Sequence, residues 1–134
     1  MAKIVDIEGI GPVNAEKLAK ASIKTVEGML KACATPKGRR EAAEASGIDE
    51  KQILDWTNMA DLFRVKGVST QYAELLKGAG VDTIKELRTR NATNLHAKMK
   101  EVNEQRKLVR QIPNADQVAA FIEDAKGLEP MITY

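Results

Sequence analysis

Two five-residue stretches, 58 positions apart, constrain this chain more than anything else in it. Ile7-Glu8-Gly9-Ile10-Gly11 and Val65-Lys66-Gly67-Val68-Ser69 share an aliphatic first residue, a glycine in third place, an aliphatic residue after it and a small residue last. The correspondence continues for about two dozen positions: Ala15 with Ala73, Glu16 with Glu74, Leu18 with Leu76, Ala21 with Ala79 and Thr25 with Thr83. Ile10 and Val68, Ile23 and Val81, and Val26 and Ile84 keep aliphatic character. Self-similarity at a fixed distance reads as a tandem pair of units of roughly 60 residues. The units span residues 1–62 and 63–126, with 127–134 as a C-terminal tail. In a chain of 134 residues a unit of this size buries little apolar surface alone, so the pair is expected to pack as one compact domain with a shared core.

Each unit carries the punctuation of short helices. Pro12 suits the first turn of a helix running to about Ala21, because its missing N–H would be unpaired there anyway. The equivalent helix runs from Ser69, an N-cap, to Ala79, with Gly80 beyond its end. Thr25 and Thr83 stand as N-caps before Val26-Glu27-Gly28-Met29-Leu30 and Ile84-Lys85-Glu86-Leu87. Thr35-Pro36 opens a helix to about Ser46, stopped by Gly47. Asp49 caps the next, in which Ile53, Leu54, Trp56, Met59, Ala60 and Phe63 fall on helical spacing. Leu95, Met99, Val102, Leu108, Val109 and Ile112 predict a long helix ending before Pro113. Asn114 caps the last, from Ala115 to about Lys126, ended by Gly127 and Pro130.

No segment alternates with period two between hairpin turns, and aromatic residues make up only 4% of the chain. Both observations predict an all-α class of about nine or ten short helices with an aliphatic core. The single cysteine, Cys33, excludes a disulfide framework and a cysteine-rich zinc site, and no apolar run approaches the roughly 18 residues of a membrane span. A cytoplasmic protein with no membrane partner is expected.

The net charge of +2 hides an uneven distribution. Lys and Arg number nine against ten Asp and Glu over residues 1–62, eleven against five over 63–110, and one against four over 111–134. A basic middle block between acidic flanks marks a polyanion-binding face or an acidic tail folded back on it.

Glycine turns followed by helix N-termini have a physical use. Glycine allows close backbone approach, and the free N–H groups and positive dipole end of the next helix suit a phosphate, whatever the base beyond it. The stretches Ile7-Glu8-Gly9-Ile10-Gly11-Pro12-Val13-Asn14-Ala15-Glu16-Lys17-Leu18 and Val65-Lys66-Gly67-Val68-Ser69-Thr70-Gln71-Tyr72-Ala73-Glu74-Leu75-Leu76 resemble the helix-hairpin-helix superfamily. Residues 7–128, including Trp56-Thr57-Asn58-Met59-Ala60-Asp61-Leu62 and Ala79-Gly80-Val81-Asp82-Thr83, are similar to a family filed as a domain of unknown function with a duplicated helix-hairpin-helix. The resemblance implies sequence-independent binding to a nucleic-acid backbone, DNA first and RNA as an alternative. It places Gly9, Ile10 and Gly11 in the first turn, with the amides of Val13 and Asn14 facing phosphate. Lys66, Gly67, Val68, Ser69 and Thr70 form the second site, and Lys17, Lys20, Lys66 and Lys77 flank the two turns.

Neither copy is ideal. Ser69 replaces the second glycine of the pattern, and Glu8 is acidic where the other copy has Lys66. The alternative is a protein-protein interaction or scaffolding module in which Ile10 and Val68 are buried and the glycines serve only to close the hairpins. Further basic residues, Lys37-Gly38-Arg39-Arg40, Lys85, Arg88, Arg90, Lys98, Lys100, Arg106, Lys107 and Arg110, would add salt-dependent attraction if they share a face.

Trp56 and Phe121 occupy comparable places in the last helix of each unit and read as core anchors. Tyr72 stands beside the second turn, placed either to meet a ligand or to pack inward, and Tyr134 is expected to be mobile. His96 and Cys33 have no partner motif, and no nucleotide, metal or nucleophile signature is present. No enzyme activity, cofactor, metal or small-molecule substrate is therefore expected.

Overall fold

The computed structural model describes residues 3–7, 9–129 and 131–134. Among them the chain is all-helical, with eight α-helices, one turn of 3-10 helix over Ile4–Asp6 and an isolated β-bridge between Lys3 and Thr25. The helices are α1 (Gly11–Ala19), α2 (Val26–Ala32), α3 (Pro36–Ser46), α4 (Glu50–Leu62), α5 (Thr70–Gly78), α6 (Ile84–Thr89), α7 (Ala92–Arg106) and α8 (Ala115–Lys126). The chain divides into two compact units, residues 1–61 with 131–134 and residues 62–130. The division falls at the last residue of α4.

Local chemistry sets most helix starts. Thr25 accepts a hydrogen bond from the Gly28 amide at 2.9 Å, Thr35 from Gly38 at 3.1 Å and Thr83 from Glu86 at 3.0 Å. Asn114 and Gln117 exchange two bonds of 2.8 Å in a full capping box. Each such cap contributes about 1 kcal/mol. Helix ends are as local: Gly47 and Gly80 take the left-handed conformation, at φ 77° and 95°.

Within the first unit α1 packs against α3 and the 3-10 turn, and α2 against α3. The α2–α3 approach is close, because a Cβ on Gly38 would overlap the carbonyl oxygen of Ala32. Ile7, Leu18, Ile23, Met29, Ile53 and Trp56 form its apolar interior. Buried Arg39, only 4% exposed, binds the return of the chain. Its guanidinium donates to Cys33 O at 3.0 Å and Thr133 O at 2.7 Å, and lies 5.8 Å from the centre of the Tyr134 ring. The Tyr134 hydroxyl donates to Asn58 Oδ1 at 2.9 Å, which gives the last residue a partner in the first unit. Buried Arg39 leaves the set of cations free for a polyanion.

Within the second unit α8 packs on α6 and α7, and α5 on α7. Leu75, Leu76, Leu87, Leu95, Met99 and Phe121 fill this interior. Helix α7 differs from expectation at both ends. It starts at Ala92 behind an Asn91 cap and stops at Arg106, seven residues before Pro113, with Lys107 left-handed at φ 51°. Leu95, Met99 and Val102 follow helical spacing, but Leu108 stands six residues after Val102, off that stripe. The Asn103 side chain then holds the departing chain, accepting from Val109 N at 3.0 Å and donating to Val109 O at 3.1 Å. Leu108, Val109 and Ile112 therefore lie in a loop.

No buried side-chain polar atom among the described residues lacks a partner, and none of the helices is long and apolar enough to cross a membrane.

Candidate nucleic-acid interface

In the first turn, Ile7 and Ile10 are buried and the Ile10 amide donates to Ile7 O at 3.2 Å. Gly9 takes φ 92° and Gly11 φ 61°, backbone that only glycine adopts at little cost. Helix α1 starts at Gly11 without a side-chain cap, since the residue in the cap position is Ile10. The amides at its start are those that any helix leaves without an internal acceptor. A Cβ on Gly11 would meet nothing within 4 Å, so this end of the helix is open. Val13 is 68% exposed, and Asn14 Nδ2 lies 3.5 Å from Gly9 O across the turn. Lys17 and Lys20 are exposed at the far end of α1. Gly9, Gly11, Val13 and Asn14 thus come together at one exposed helix start, whereas the Ile10 side chain faces inward. Glu8 lies outside the described residues.

The second turn has the same backbone core and a different edge. Val68 is buried and its amide donates to Val65 O at 3.1 Å; Gly67 takes φ 88°. Here Ser69 caps α5 with its own hydroxyl, accepting from the Tyr72 amide at 3.3 Å. The Lys66 amide is engaged as well, donating to the Asp124 carboxylate of α8 at 2.9 Å. Lys66, Gly67 and Ser69 are exposed and Thr70 is half-buried. Lys77 sits in the last turn of α5, about 10 Å along the helix from Thr70 at 1.5 Å per residue.

Both hairpin glycines lie against the aromatic anchor of their unit. A Cβ on Gly9 would stand 3.6 Å from Trp56 Nε1, and one on Gly67 would stand 3.1 Å from Phe121 Cε1. Trp56 and Phe121 are each 4% exposed. The glycines therefore serve packing as well as turning.

Several cations of the basic block are paired locally. Arg90 binds Glu86 at 2.8 Å and Gly80 O at 3.0 Å, Lys98 lies 3.7 Å from Glu101, and Arg106 lies 3.8 Å from Glu74. Such exposed pairs contribute about 0–1 kcal/mol each, yet they offset local charge. Cys33 is buried, and desolvation pushes its thiol above the ordinary value of 9.0. It packs as a small apolar residue.

Sequence spacing missed Asp124 at the second turn, because its partner is 58 residues away in the chain. It also missed a groove of about 720 Å³ between the start of α5 and the loop after α7. Tyr72 bridges its two sides, donating its hydroxyl to Gln111 O at 3.3 Å. The run of basic residues at 106–110 was the only available signal.

The family model for the domain of unknown function DUF4332 matches residues 8–128. The chain belongs to the DUF4332 family. No curated protein and no solved structure matches it.

Proposed function

We propose that this DUF4332 chain is a non-enzymatic, cytoplasmic module that grips the backbone of nucleic acid, DNA foremost, without reading its sequence. In this reading the two units are duplicated helix-hairpin-helix elements. The observation that carries it is the start of α1, where Gly11 leaves open space around uncapped helix amides. A phosphate oxygen there accepts hydrogen bonds from backbone donors and sits at the positive end of the helix dipole. Lys17, Lys66 and the unpaired cations of the middle block would add long-range attraction.

Fluorescence anisotropy with generic duplex DNA, single-stranded DNA and RNA across a salt series tests this. Backbone binding gives a negative slope of log K against log salt, about −0.9 per phosphate contact on duplex. No binding at micromolar protein in low salt would rule the reading out. Gly11→Asp is the informative variant, because aspartate tolerates the left-handed region for about 1 kcal/mol and its Cβ meets nothing within 4 Å. Its carboxylate should weaken binding roughly tenfold or more by like-charge repulsion. A folded Gly11→Asp protein that binds unchanged removes the turn from the site.

A second reading, a protein-interaction or scaffolding module with purely structural hairpins, draws support from the second turn. There Ser69 and Asp124 occupy backbone donors, and Phe121 lies against Gly67. Loss of nucleic-acid binding in every assay above would favour it.

A further inference from the structure

The groove beside the second turn has a chemical character that neither hairpin shows. Tyr72, Gln71, Lys107, Arg110 and Gln111 line it, and none of the described residues along it is acidic. Lys107 and Arg110 are both exposed, and neither charged head is paired with a carboxylate among the described residues. That sets them apart from Arg90, Lys98 and Arg106. The loop that carries them is held at two points, by Asn103 on Val109 and by Tyr72 on Gln111. The Tyr72 ring is itself braced by Phe121, with centroids 6.2 Å apart at 50°. The groove therefore combines an aromatic ring held by two contacts, the carboxamides of Gln71, Asn103 and Gln111, and two uncompensated cations.

We propose that this groove binds single-stranded nucleic acid, with Lys107 and Arg110 on phosphates and Tyr72 against a base. The inference rests on the nucleic-acid reading above and moves the second unit's contact from its hairpin amides to the groove. Charge complementarity selects a polyanion, and the ring selects unpaired bases. In a duplex the bases are stacked inside, whereas an unpaired base presents a face to an aromatic side chain. The carboxamides of Gln71 and Gln111 can donate to and accept from base edges.

Anisotropy titrations at low salt with labelled oligo(dT), oligo(U) and a DNA duplex of the same length test the assignment. Lys107→Gly with Arg110→Ser removes both charges, and glycine suits the left-handed backbone at position 107. Lys85→Ser with Arg88→Ser removes two exposed charges of α6, outside the groove, and serves as the control. The expected result is roughly tenfold weaker single-strand binding for the groove pair. The control pair should lose only the general electrostatic share, about threefold or less. Tyr72→Phe should keep oligonucleotide affinity, and Tyr72→Leu should lose it; a shared melting temperature shows that the fold survives. Oligo(dT) and oligo(U) differ in the C5 methyl group as well as the sugar, and tight binding to either supports the assignment. Equal losses in the groove and control pairs overturn the groove while leaving the backbone-binding reading intact. A groove pair that weakens duplex more than single strand overturns the single-strand assignment, and absence of binding to every probe overturns both readings.

Discussion

Ser22 takes φ 64° where the matching residue of the second unit is Gly80 at φ 95°. Serine in the left-handed region is strained by about 1–2 kcal/mol, and glycine relieves that at some cost in chain entropy. Ser22→Gly should therefore stabilise the protein by up to about 1 kcal/mol, read as a higher urea midpoint at unchanged slope. The same comparison exposes Gly11 and Ser69 as partners of opposite behaviour: φ 61° at one and φ −84° at the other. A serine that caps its own helix no longer needs the glycine conformation. The aligned sequences displayed that substitution, and its effect on the backbone was legible as a cap, since capping depends on atoms three residues apart. The left-handed Ser22 is not marked by its own neighbours, and its only signal in the sequence is its alignment with Gly80 beyond the end of α5.

At the scale of elements, helices with strong local signals started where their caps predicted. Thr25, Thr35, Ser69, Thr83 and Asn114 each accept from an amide three residues on. Helix α7 shows the limit. Its apolar residues predict a helix through Leu108 and Ile112, whereas the helix stops at Arg106 even though Val109 keeps the spacing of Leu95, Met99 and Val102. Beyond the stop the chain is held by Asn103, whose side chain makes two bonds to the Val109 backbone. Asn103→Ala should destabilise the protein by about 1–2 kcal/mol by removing both bonds. Hydrogen exchange should locate the loss of protection at Val109, and a protein that loses no protection there would show that the loop is held by other means. Of the candidate site, the turns and their glycines were legible; the aromatic rings against those glycines were not, because they come from the far end of each unit.

For the molecule as a whole, residues 131–134 return to the first unit although they end the sequence. Their attachment runs through Arg39, whose guanidinium holds Cys33 O and Thr133 O, and through the Thr133 amide, which donates to Ala34 O at 2.8 Å. Arg39→Met keeps the volume and removes the donors, so two carbonyls lose charged partners. A destabilisation of about 2–3 kcal/mol is expected, with faster exchange at Thr133; unchanged stability would show that solvent replaces those bonds without cost. Sequence by itself determined the helical class, most helix starts and the paired glycine turns, because all of these are settled by residues within a few positions of one another. Only the tertiary structure decided that Asp124 takes the Lys66 amide, that Arg39 is buried as a clamp, and that Tyr72, Lys107 and Arg110 border one groove. Those pairings join residues up to 94 apart, and packing alone brings such groups within reach.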